Sequence, residues 1–287
     1  MNKIFLSSLI ICIIFIFYFL NKIIVKEYFI SSNKICCIYA YYEKNDLYRN
    51  NFKYFLDNAI LNDVDYYIII NGKCSVKIPN KNNLKVYYRE NKGYDFGAYS
   101  YALKEINKSY NYYFFINTSV RGPYLKDSSK KWTEPFLELL NNDTKLAGTS
   151  INIFAKKLIK NKYNLTNIYK KDAPYIHVQS MFFCIDNEAL QFLKNVNFFN
   201  EEEMNNATDI QYIIAYKEIG LSQILLKNNW NINCILPKYK NIDYRKLKED
   251  INSTSLNGDP YLRNKYFGNT INKYDVIFFK TNRFIDL

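Results

Sequence analysis

The sequence predicts an α/β fold with a mixed, mostly parallel sheet that is covered by helices on both faces and preceded by one transmembrane helix. Two observations lead to the prediction for the sheet. Short apolar runs of strand length alternate with stretches whose apolar residues recur at helical spacing. These runs are apolar at nearly every position, which is typical of parallel strands that are buried on both faces.

The N-terminal segment from Ile4 to Leu20 contains no charged residue and only two serines. With the apolar residues that follow Lys22, its length approaches the ~20 residues that a helix needs to cross a bilayer. A cleaved signal peptide would have a shorter apolar region and a small-x-small cleavage site, and no such site follows here. We therefore predict a transmembrane anchor over residues 1–26, a short stem over 27–33 and a folded domain over 34–287.

The anchor predicts a single-pass membrane protein with the lipid bilayer as a partner. Lys3 precedes the apolar segment, whereas Lys22 and Lys26 follow it. The positive-inside rule puts the flank with more lysines in the cytoplasm, which slightly disfavours a lumenal position of the domain. The orientation is therefore left open. In a eukaryotic or viral setting the anchor predicts a type II protein of the Golgi or endoplasmic reticulum, and in a bacterium an inner-membrane protein.

The composition indicates which partners other than the bilayer we expect. The net charge of +12 suits an anionic partner such as nucleic acid, anionic lipid or a diphosphate. The lysines are scattered and no nucleic-acid-binding motif occurs, so we expect no nucleic acid. The 6 cysteines form no CxxC pair, and most lie in apolar runs, which favours buried free thiols over a disulfide framework or a zinc site.

The first half of the domain contains alternating elements. The predicted strands are Lys34 to Tyr42, Asp65 to Gly72, Leu84 to Glu90 and Tyr110 to Asn117, and the predicted helices are Arg49 to Leu61 and Phe96 to Ile106. The second half is more mixed. There we predict helices over Trp132 to Leu140, Glu188 to Leu193 and Thr208 to Asn228, strands over Lys145 to Phe154, Tyr175 to Asp186 and Asn229 to Pro237, and a loop or insertion over Ala155 to Ala173.

Three polar, glycine-containing turns follow predicted strands: Asn71-Gly72, Asn91 to Gly97, and Asn117 to Gly122. Ligands of parallel α/β sheets bind beyond the carboxyl ends of the strands. The three turns are therefore expected to meet on one rim, which predicts a binding site there.

The turn "NKGYDFGA" has features of an anion site. Glycine at Gly93 and Gly97 lets the backbone adopt positive φ and approach a ligand, and the helix that follows presents free N–H groups. The spacing matches neither the dinucleotide fingerprint nor the Walker P-loop. The alternative is a plain strand-to-helix turn in which Asp95 is the N-cap.

Four segments occur in a fixed order: "NKGYDFGAYSYAL", "FFINTSVRGPYL", "HVQSMFFCID" and "YFGNTINKYDVIFFKTNR". Together they resemble glycosyltransferase-like proteins related to the rhamnan synthesis F proteins, within the GT-A glycosyltransferases. The resemblance implies a GT-A-like, Rossmann-like fold and a nucleotide-diphospho-sugar transferase that is similar to family 2. Its substrates would be a nucleotide-sugar donor and a glycan or lipid-linked acceptor, with the donor sugar, a hexose or deoxyhexose, left open.

On the donor side, the resemblance aligns Asn91 and Gly93 with a conserved Asn-x-Gly turn and Asn117 and Ser119 with an Asp-x-Asp metal motif. Mn²⁺ and Mg²⁺ prefer anionic oxygens, so metal binding is in doubt, with Asp95 as the candidate ligand. The alternative is that Lys92 and Arg121 neutralise the diphosphate instead of a metal ion. The predicted donor-binding residues are Asn71, Asn91, Lys92, Gly93, Asp95, Gly97, Asn117, Ser119 and Arg121.

The segment "KEIGLSQILLKNNWNI" resembles the part of family 2 enzymes that carries the catalytic base, and it aligns Glu218 with that base. A carboxylate there would deprotonate the acceptor hydroxyl and give inversion. Asp209 is the second candidate, and the alternative is that Glu218 is a helix-surface residue. For the acceptor we predict His177 and Gln179, which share one face of a strand, and Trp132, which would stack on a sugar ring. The alternative for His177 and Trp132 is a structural role inside the protein.

Two functions follow from these observations. The first is a membrane-anchored glycosyltransferase with a carboxylate base. The second is a catalytically inactive glycan-binding or scaffold protein on the same fold, which the missing Asp-x-Asp motif favours.

Overall fold

The computed structural model describes residues 34–154 and 174–283, together with Ile13, Phe15, Ile16 and Tyr18, which are helical and exposed. The rest of the predicted anchor over 1–26, the stem over 27–33 and the whole of the predicted insertion over 155–173 lie outside the described residues. Within the described ranges, no helix combines the length and the apolar character that a bilayer crossing requires.

The described strands are β1 (Ile35–Tyr41), β2 (Val64–Asn71), β3 (Leu84–Arg89), β4 (Tyr112–Asn117), β5 (Val120–Arg121), β6 (Thr144–Gly148), β7 (Ile151–Phe154), β8 (Tyr175–Val178), β9 (Phe182–Asp186), β10 (Asn231–Cys234) and β11 (Phe279–Lys280). Seven of them form one sheet in the order β10-β6-β9-β4-β1-β2-β3. Only β9 runs antiparallel to its neighbours in this sheet, so the prediction of a mixed, mostly parallel sheet is confirmed.

The described α-helices are α1 (Asp46–Asn58), α2 (Tyr94–Glu105), α3 (Glu134–Leu137), α4 (Asn187–Asn195), α5 (Glu201–Asn206), α6 (Ile210–Tyr212), α7 (Gly220–Lys227) and α8 (Lys273–Val276). A π-helix over Ile213–Ile219 joins α6 to α7, and a short 3₁₀-helix covers Pro237–Tyr239. The predicted helix over Thr208 to Asn228 is therefore three segments, and its geometry changes at Ile213 and again at Gly220.

Helices pack on both faces of the large sheet, as the apolar strands require. On one face, Phe52 of α1 stacks against Tyr39 and Tyr41 of β1. On the other face, Phe96 and Tyr99 of α2 pack against aromatic residues of β4 and β9. The strands between these layers are almost fully buried.

Two predicted strands are wrong in extent. The run over Lys145 to Phe154 is two strands, β6 and β7, and the run over Tyr175 to Asp186 is β8 and β9. In each case one strand belongs to the large sheet, while β7 and β8 pair with each other in a separate two-stranded sheet. The breaks are invisible in the hydrophobic pattern because the residues on both sides of them are buried.

The predicted helix over Trp132 to Leu140 is too long, since only α3 is helical there. Trp132 lies in the core at 1% exposure. Its indole Nε1 donates a 2.8 Å hydrogen bond to the carbonyl of Ala59, and its ring packs edge-on against Phe114, Phe182 and Phe278. Trp132 is therefore not available to stack on a sugar in this structure, because its hydrogen bond and its faces are already satisfied within the protein.

We expect the substitution Trp132→Phe to lower the free energy of unfolding by about 1–3 kcal/mol, because it removes buried ring volume and one buried hydrogen bond. Urea unfolding followed by far-ultraviolet circular dichroism measures this change. Trp230→Phe is the matched control, since Trp230 is only half-buried and packs against Phe192. A W132F protein with wild-type stability but weakened glycan binding would show that the core role is wrong.

Candidate functional site

A cavity of about 600 Å³ opens at the carboxyl ends of β1, β2 and β4. Its volume is within the ~300–1,000 Å³ of ordinary ligand pockets. Six of the residues that the sequence predicts as site residues line it: Asn71, Asn91, Asp95, Asn117, Ser119 and Glu218. Parallel strands bring all of them except Glu218 together, because polar turns that follow such strands lie on one edge of the sheet.

Arg89 holds this edge together. Its guanidinium donates to the Asn71 side-chain oxygen at 2.7 Å, to the Lys92 carbonyl at 2.9 Å and to the Asn205 side-chain oxygen at 2.9 Å. It thereby ties the end of β2, the turn after β3 and helix α5 to one point. Arg89 is not among the predicted site residues, and its one signal in the sequence is its position at the end of an apolar strand.

Gly93 and Gly97 are buried behind the cavity and do not line it. A Cβ at Gly93, whose φ is 68°, would lie 2.3 Å from the Met204 carbonyl oxygen. A Cβ at Gly97 would lie 2.1 Å from the Lys92 carbonyl oxygen. Both glycines are therefore required by close contacts within the protein rather than by contact with the cavity.

The alternative in which Asp95 caps helix α2 is wrong, because the helix begins at Tyr94 and its N-cap position is Gly93. Tyr94 itself has a positive φ of 55°, which is uncommon for a residue with a side chain. The side chain of Tyr94 lies in the cavity wall, and its hydroxyl donates a 3.2 Å hydrogen bond to the Thr208 carbonyl.

Asp95 is a half-buried carboxylate without a cationic partner among the described residues. One oxygen accepts from the Phe96 amide at 3.1 Å and the other from the Asn117 side-chain amide at 2.8 Å. The pKa of Asp95 is raised to about 6, chiefly by loss of water contact; the hydrogen bond from Asn117 opposes this effect, and the charge of Glu218 adds to it. The two carboxyl groups therefore interact through the cavity that both of them line.

The loop Asn117-Thr118-Ser119 is closed by its own hydrogen bonds. The Asn117 side-chain oxygen accepts from the amide of Ser119 at 3.0 Å and from its hydroxyl at 2.6 Å. Thr118 is fixed from the other side, since its hydroxyl donates to the Ala40 carbonyl and accepts from the Tyr42 amide. The amide oxygen that would face a metal ion is thus already used twice.

By themselves, the described residues do not complete a site for a Mn²⁺ or Mg²⁺ ion. Mg²⁺ is commonly held by one or two carboxylates together with substrate phosphates, and the cavity wall offers two carboxylates, Asp95 and Glu218, with a neutral loop beside them. Across residues 34–154 and 174–283, no group of three or more His, Cys, Asp or Glu side chains is placed to hold a metal ion.

Glu218 projects into the cavity from the π-helix, and one of its oxygens accepts from the Ser180 amide at 3.2 Å. The preceding residue, Lys217, points elsewhere and is buried, where its ammonium pairs with Glu203 at 2.9 Å and donates to the Phe198 carbonyl at 2.7 Å. Segments of π-helix occur often at functional sites. Here the segment places Glu218 in the cavity wall rather than on an open helix surface.

Lys280 is a cavity residue that the sequence analysis did not identify. It is half-buried, and no ion pair or hydrogen bond of its ammonium is found within the described part of the chain. Burial chiefly lowers the pKa of Lys280 and Arg283 adds to this, whereas the charges of Glu218, Asp259 and Asp95 oppose it. The only sequence signal was its place in the fourth of the four ordered segments.

Aromatic and aliphatic side chains line the outer part of the cavity. Tyr42 and Ile210 are each 43% exposed and Tyr94 is 37% exposed, which are high values for large apolar side chains. Tyr48 and the exposed Lys44 also contribute to the wall. The cavity therefore combines a charged interior with faces suited to a planar or apolar group.

Three predicted residues lie outside the cavity wall. Lys92 is exposed and pairs with Glu90 at 2.7 Å. The Arg121 guanidinium donates through Nε to the Asn51 side chain at 2.9 Å. Asp209 is the N-cap of α6 and accepts from the Gln211 amide at 2.9 Å. The structure therefore does not group these residues with Asp95 and Glu218.

The predicted acceptor residues His177 and Gln179 are also absent from the cavity wall, since both are 1% exposed. His177 contacts the Tyr175 carbonyl through Nδ1 at 3.2 Å, and burial lowers its pKa. Gln179 is held by the side chains of Ser150, Asn152 and Asp259. With Trp132 in the core, none of the three lines the cavity, because each of them is buried among other residues of the protein.

Comparisons with known proteins give weak similarities. No protein-family profile matches the chain, and no curated protein matches it. Among solved structures, one similar protein is a glycosyltransferase involved in the glycosylation of the major capsid of PBCV-1, with 13% identity, a TM-score of 0.34, and coverage of 64% of this chain and 74% of that chain. Another is the galactosyltransferase LgtC in complex with donor and acceptor sugar analogs, with 9% identity, a TM-score of 0.33, and coverage of 64% and 71%.

A third similar structure is 4-diphosphocytidyl-2C-methyl-D-erythritol synthase from Anaerococcus prevotii, with 8% identity, a TM-score of 0.35, and coverage of 70% of this chain and 85% of that chain. Similarities this low carry no functional assignment. The resemblance to the rhamnan synthesis F proteins stays a prediction, and so do the roles assigned to individual site residues.

The raised pKa of Asp95 predicts a specific pH dependence of stability. An unfolded aspartic acid has a pKa of about 3.9, so the folded protein binds more protons between pH 4 and 6, and ionisation of Asp95 destabilises the fold as the pH rises through that window. We expect Asp95→Asn to gain stability relative to wild type, on the order of 2 kcal/mol, between pH 4 and pH 7.

Urea unfolding of both proteins at the two pH values measures this difference. Asp127→Asn is the control with the opposite sign, because hydrogen bonds from Ser129 lower the pKa of the exposed Asp127. A stability difference between D95N and wild type that is independent of pH would contradict the assignment of Asp95.

Proposed function

We propose that this protein is a glycosyltransferase that moves a sugar from a nucleotide-diphosphate donor to a glycan or lipid-linked acceptor. The observation that carries the proposal is one cavity that contains a carboxylate held for proton transfer, an ammonium without an ion pair within the described residues, and exposed tyrosines at its outer part. Each of these groups matches a different part of the reaction.

The outer tyrosines suit the nucleoside. Aromatic faces stack on nucleobases of any kind, and Tyr42, Tyr48 and Tyr94 line the same cavity. The amide side chains of Asn71 and Asn91 add hydrogen-bonding groups on this rim. This arrangement favours a nucleotide donor without selecting one base, so we leave the identity of the base open.

Glu218 suits the general base. The Ser180 amide holds one of its oxygens at 3.2 Å, which leaves the other oxygen to accept a proton. As the acceptor oxygen bonds to the anomeric carbon, its proton passes to Glu218, and the bond between that carbon and the diphosphate oxygen breaks with its electron pair going to the diphosphate. One displacement of this kind inverts the anomeric configuration.

Asp95 and Lys280 suit the donor end of the reaction. Asp95, with a pKa of about 6, is positioned to accept hydrogen bonds from sugar hydroxyl groups at neutral pH. Lys280 is positioned to stabilise the negative charge that develops on the leaving diphosphate. We include the membrane anchor over residues 1–26 in the proposal, because it would keep the domain close to a lipid-linked acceptor.

The second candidate function is a catalytically inactive glycan-binding or scaffold protein. One observation favours it, which is the neutral, internally bonded loop at Asn117 to Ser119. The cavity argues for the enzyme instead, because a scaffold has no need for two carboxylates and a lysine that are not paired with one another.

The test is a panel of nucleotide sugars incubated with the full-length chain in mild detergent. We expect release of the nucleoside diphosphate from at least one donor, at a rate above that of a protein-free control. Donor hydrolysis by water is a suitable readout because it needs no knowledge of the acceptor. No turnover and no binding of any donor would contradict the enzyme and leave the scaffold function.

For the donor that is turned over, we expect Glu218→Gln to lower kcat about 10²–10⁴-fold, because the amide cannot accept the proton. Donor affinity is expected to match or exceed that of wild type, since the substitution preserves the shape of the side chain and removes one negative charge from the cavity. Glu202→Gln is the matched control, because Glu202 is exposed and outside the cavity wall. Equal kcat values for E218Q and E202Q would exclude Glu218 as the base.

A further inference from the structure

Two carboxylates face the cavity before any ligand enters it. Asp95 and Glu218 both line its wall, and the charge of Glu218 raises the pKa of Asp95. A nucleoside diphosphate would bring further negative charge to the same space. Like charges at short range repel strongly where water is excluded, so binding requires a positive charge within the cavity.

A divalent ion is poorly supported as the source of that charge. The Asn117 oxygen is occupied by the amide and the hydroxyl of Ser119, and its Nδ2 group donates to Asp95. Among the described residues no cluster of three acidic, histidine or cysteine side chains is placed to bind a metal ion.

Of the two lysines in the cavity wall, Lys44 is exposed, whereas Lys280 is half-buried, so water screens the charge of Lys280 less. Strand β11 pairs with β5 so that Lys280 is opposite Val120, directly after the loop that ends at Ser119. The next residue, Thr281, donates from its amide at 2.9 Å and from its hydroxyl at 3.0 Å to the Ser119 carbonyl. These contacts fix the C-terminal strand to the loop and hold the lysine at the cavity wall.

Half-buried Lys280 has no ion pair among the described residues, whereas two more deeply buried lysines do. Lys145 pairs with Asp186 at 2.8 Å, and Lys217 pairs with Glu203 at 2.9 Å. Lys280 has no such partner among the described residues, although the charges of Asp95 and Glu218 reach it from a greater distance. An ammonium kept out of contact with the nearby carboxylates is available to an anionic ligand.

We propose that Lys280 supplies the positive charge for the donor diphosphate, so that this protein binds nucleoside diphosphates without a divalent metal ion. The inference rests on the proposed function. The lowered pKa of Lys280 supports it, because a bound phosphate would remove the cost of holding a half-buried ammonium without a counter-ion.

The experiment is isothermal titration of the full-length chain in mild detergent with UDP, GDP, ADP, CDP and TDP, and with the corresponding nucleosides. Each titration is run once with EDTA and once with Mn²⁺. We expect the affinity for the preferred diphosphate in EDTA to stay within about threefold of the value in Mn²⁺, because the lysine replaces the ion.

Substitutions of Lys280 separate charge from shape. We expect Lys280→Met to weaken diphosphate binding by at least about tenfold and to leave nucleoside binding unchanged, while Lys280→Arg retains most of the diphosphate affinity. Lys194→Met makes the same chemical change at an exposed lysine outside the cavity and is expected to bind like wild type. The melting temperature of each variant checks that it folds.

The outcomes distinguish this inference from the proposed function. Diphosphate binding that vanishes in EDTA and returns with Mn²⁺ would overturn metal independence and leave the glycosyltransferase standing. Wild-type diphosphate affinity in K280M would overturn the role of Lys280. If no nucleotide binds under either condition, the proposed function itself fails. The EDTA arm uses the wild-type protein, so it remains informative even if a variant does not fold.

Discussion

The parallel register of β1, β2 and β4 is the constraint on which the rest of the structure depends. Because β1 pairs in parallel with β2 on one side and with β4 on the other, the three strands end at the same edge. Their residues are buried by helices on both faces, so polar groups are found where the strands stop. The cavity, with Asn71 and Asn117 in its wall, is the result.

The site is electrostatically unfavourable in the absence of a ligand. Asp95 has a raised pKa and Lys280 a lowered pKa, and in both groups burial is the largest cause. Elsewhere the protein pairs its buried lysines directly with carboxylates, as at Lys145 and Lys217. The contrast indicates that the charges in the cavity are arranged for something that binds there, since charges placed for stability would be paired.

Much of the fold follows from the sequence because local pattern and tertiary packing agree in the first half of the chain. The strands β1, β3 and β4 lie within the apolar runs that predict them, β2 begins one residue before its run, and α2 follows the Gly93 turn. Agreement fails where a buried run changes its pairing partner, as between β6 and β7. Hydrophobicity reports burial, and both strands are buried, so it contains no signal for the change of sheet.

For the site, the sequence by itself determined the rim: asparagines and an aspartate that follow strands must lie at the edge where parallel strands end. Only the tertiary structure decided which side chains share the cavity. Glu218 of the π-helix and Lys280 of β11 lie in the cavity wall, whereas His177 and Trp132 are buried in the interior. The reason is that these residues are far from the turns in sequence, and the packing of distant elements, which leaves no local pattern, sets their position and their partners.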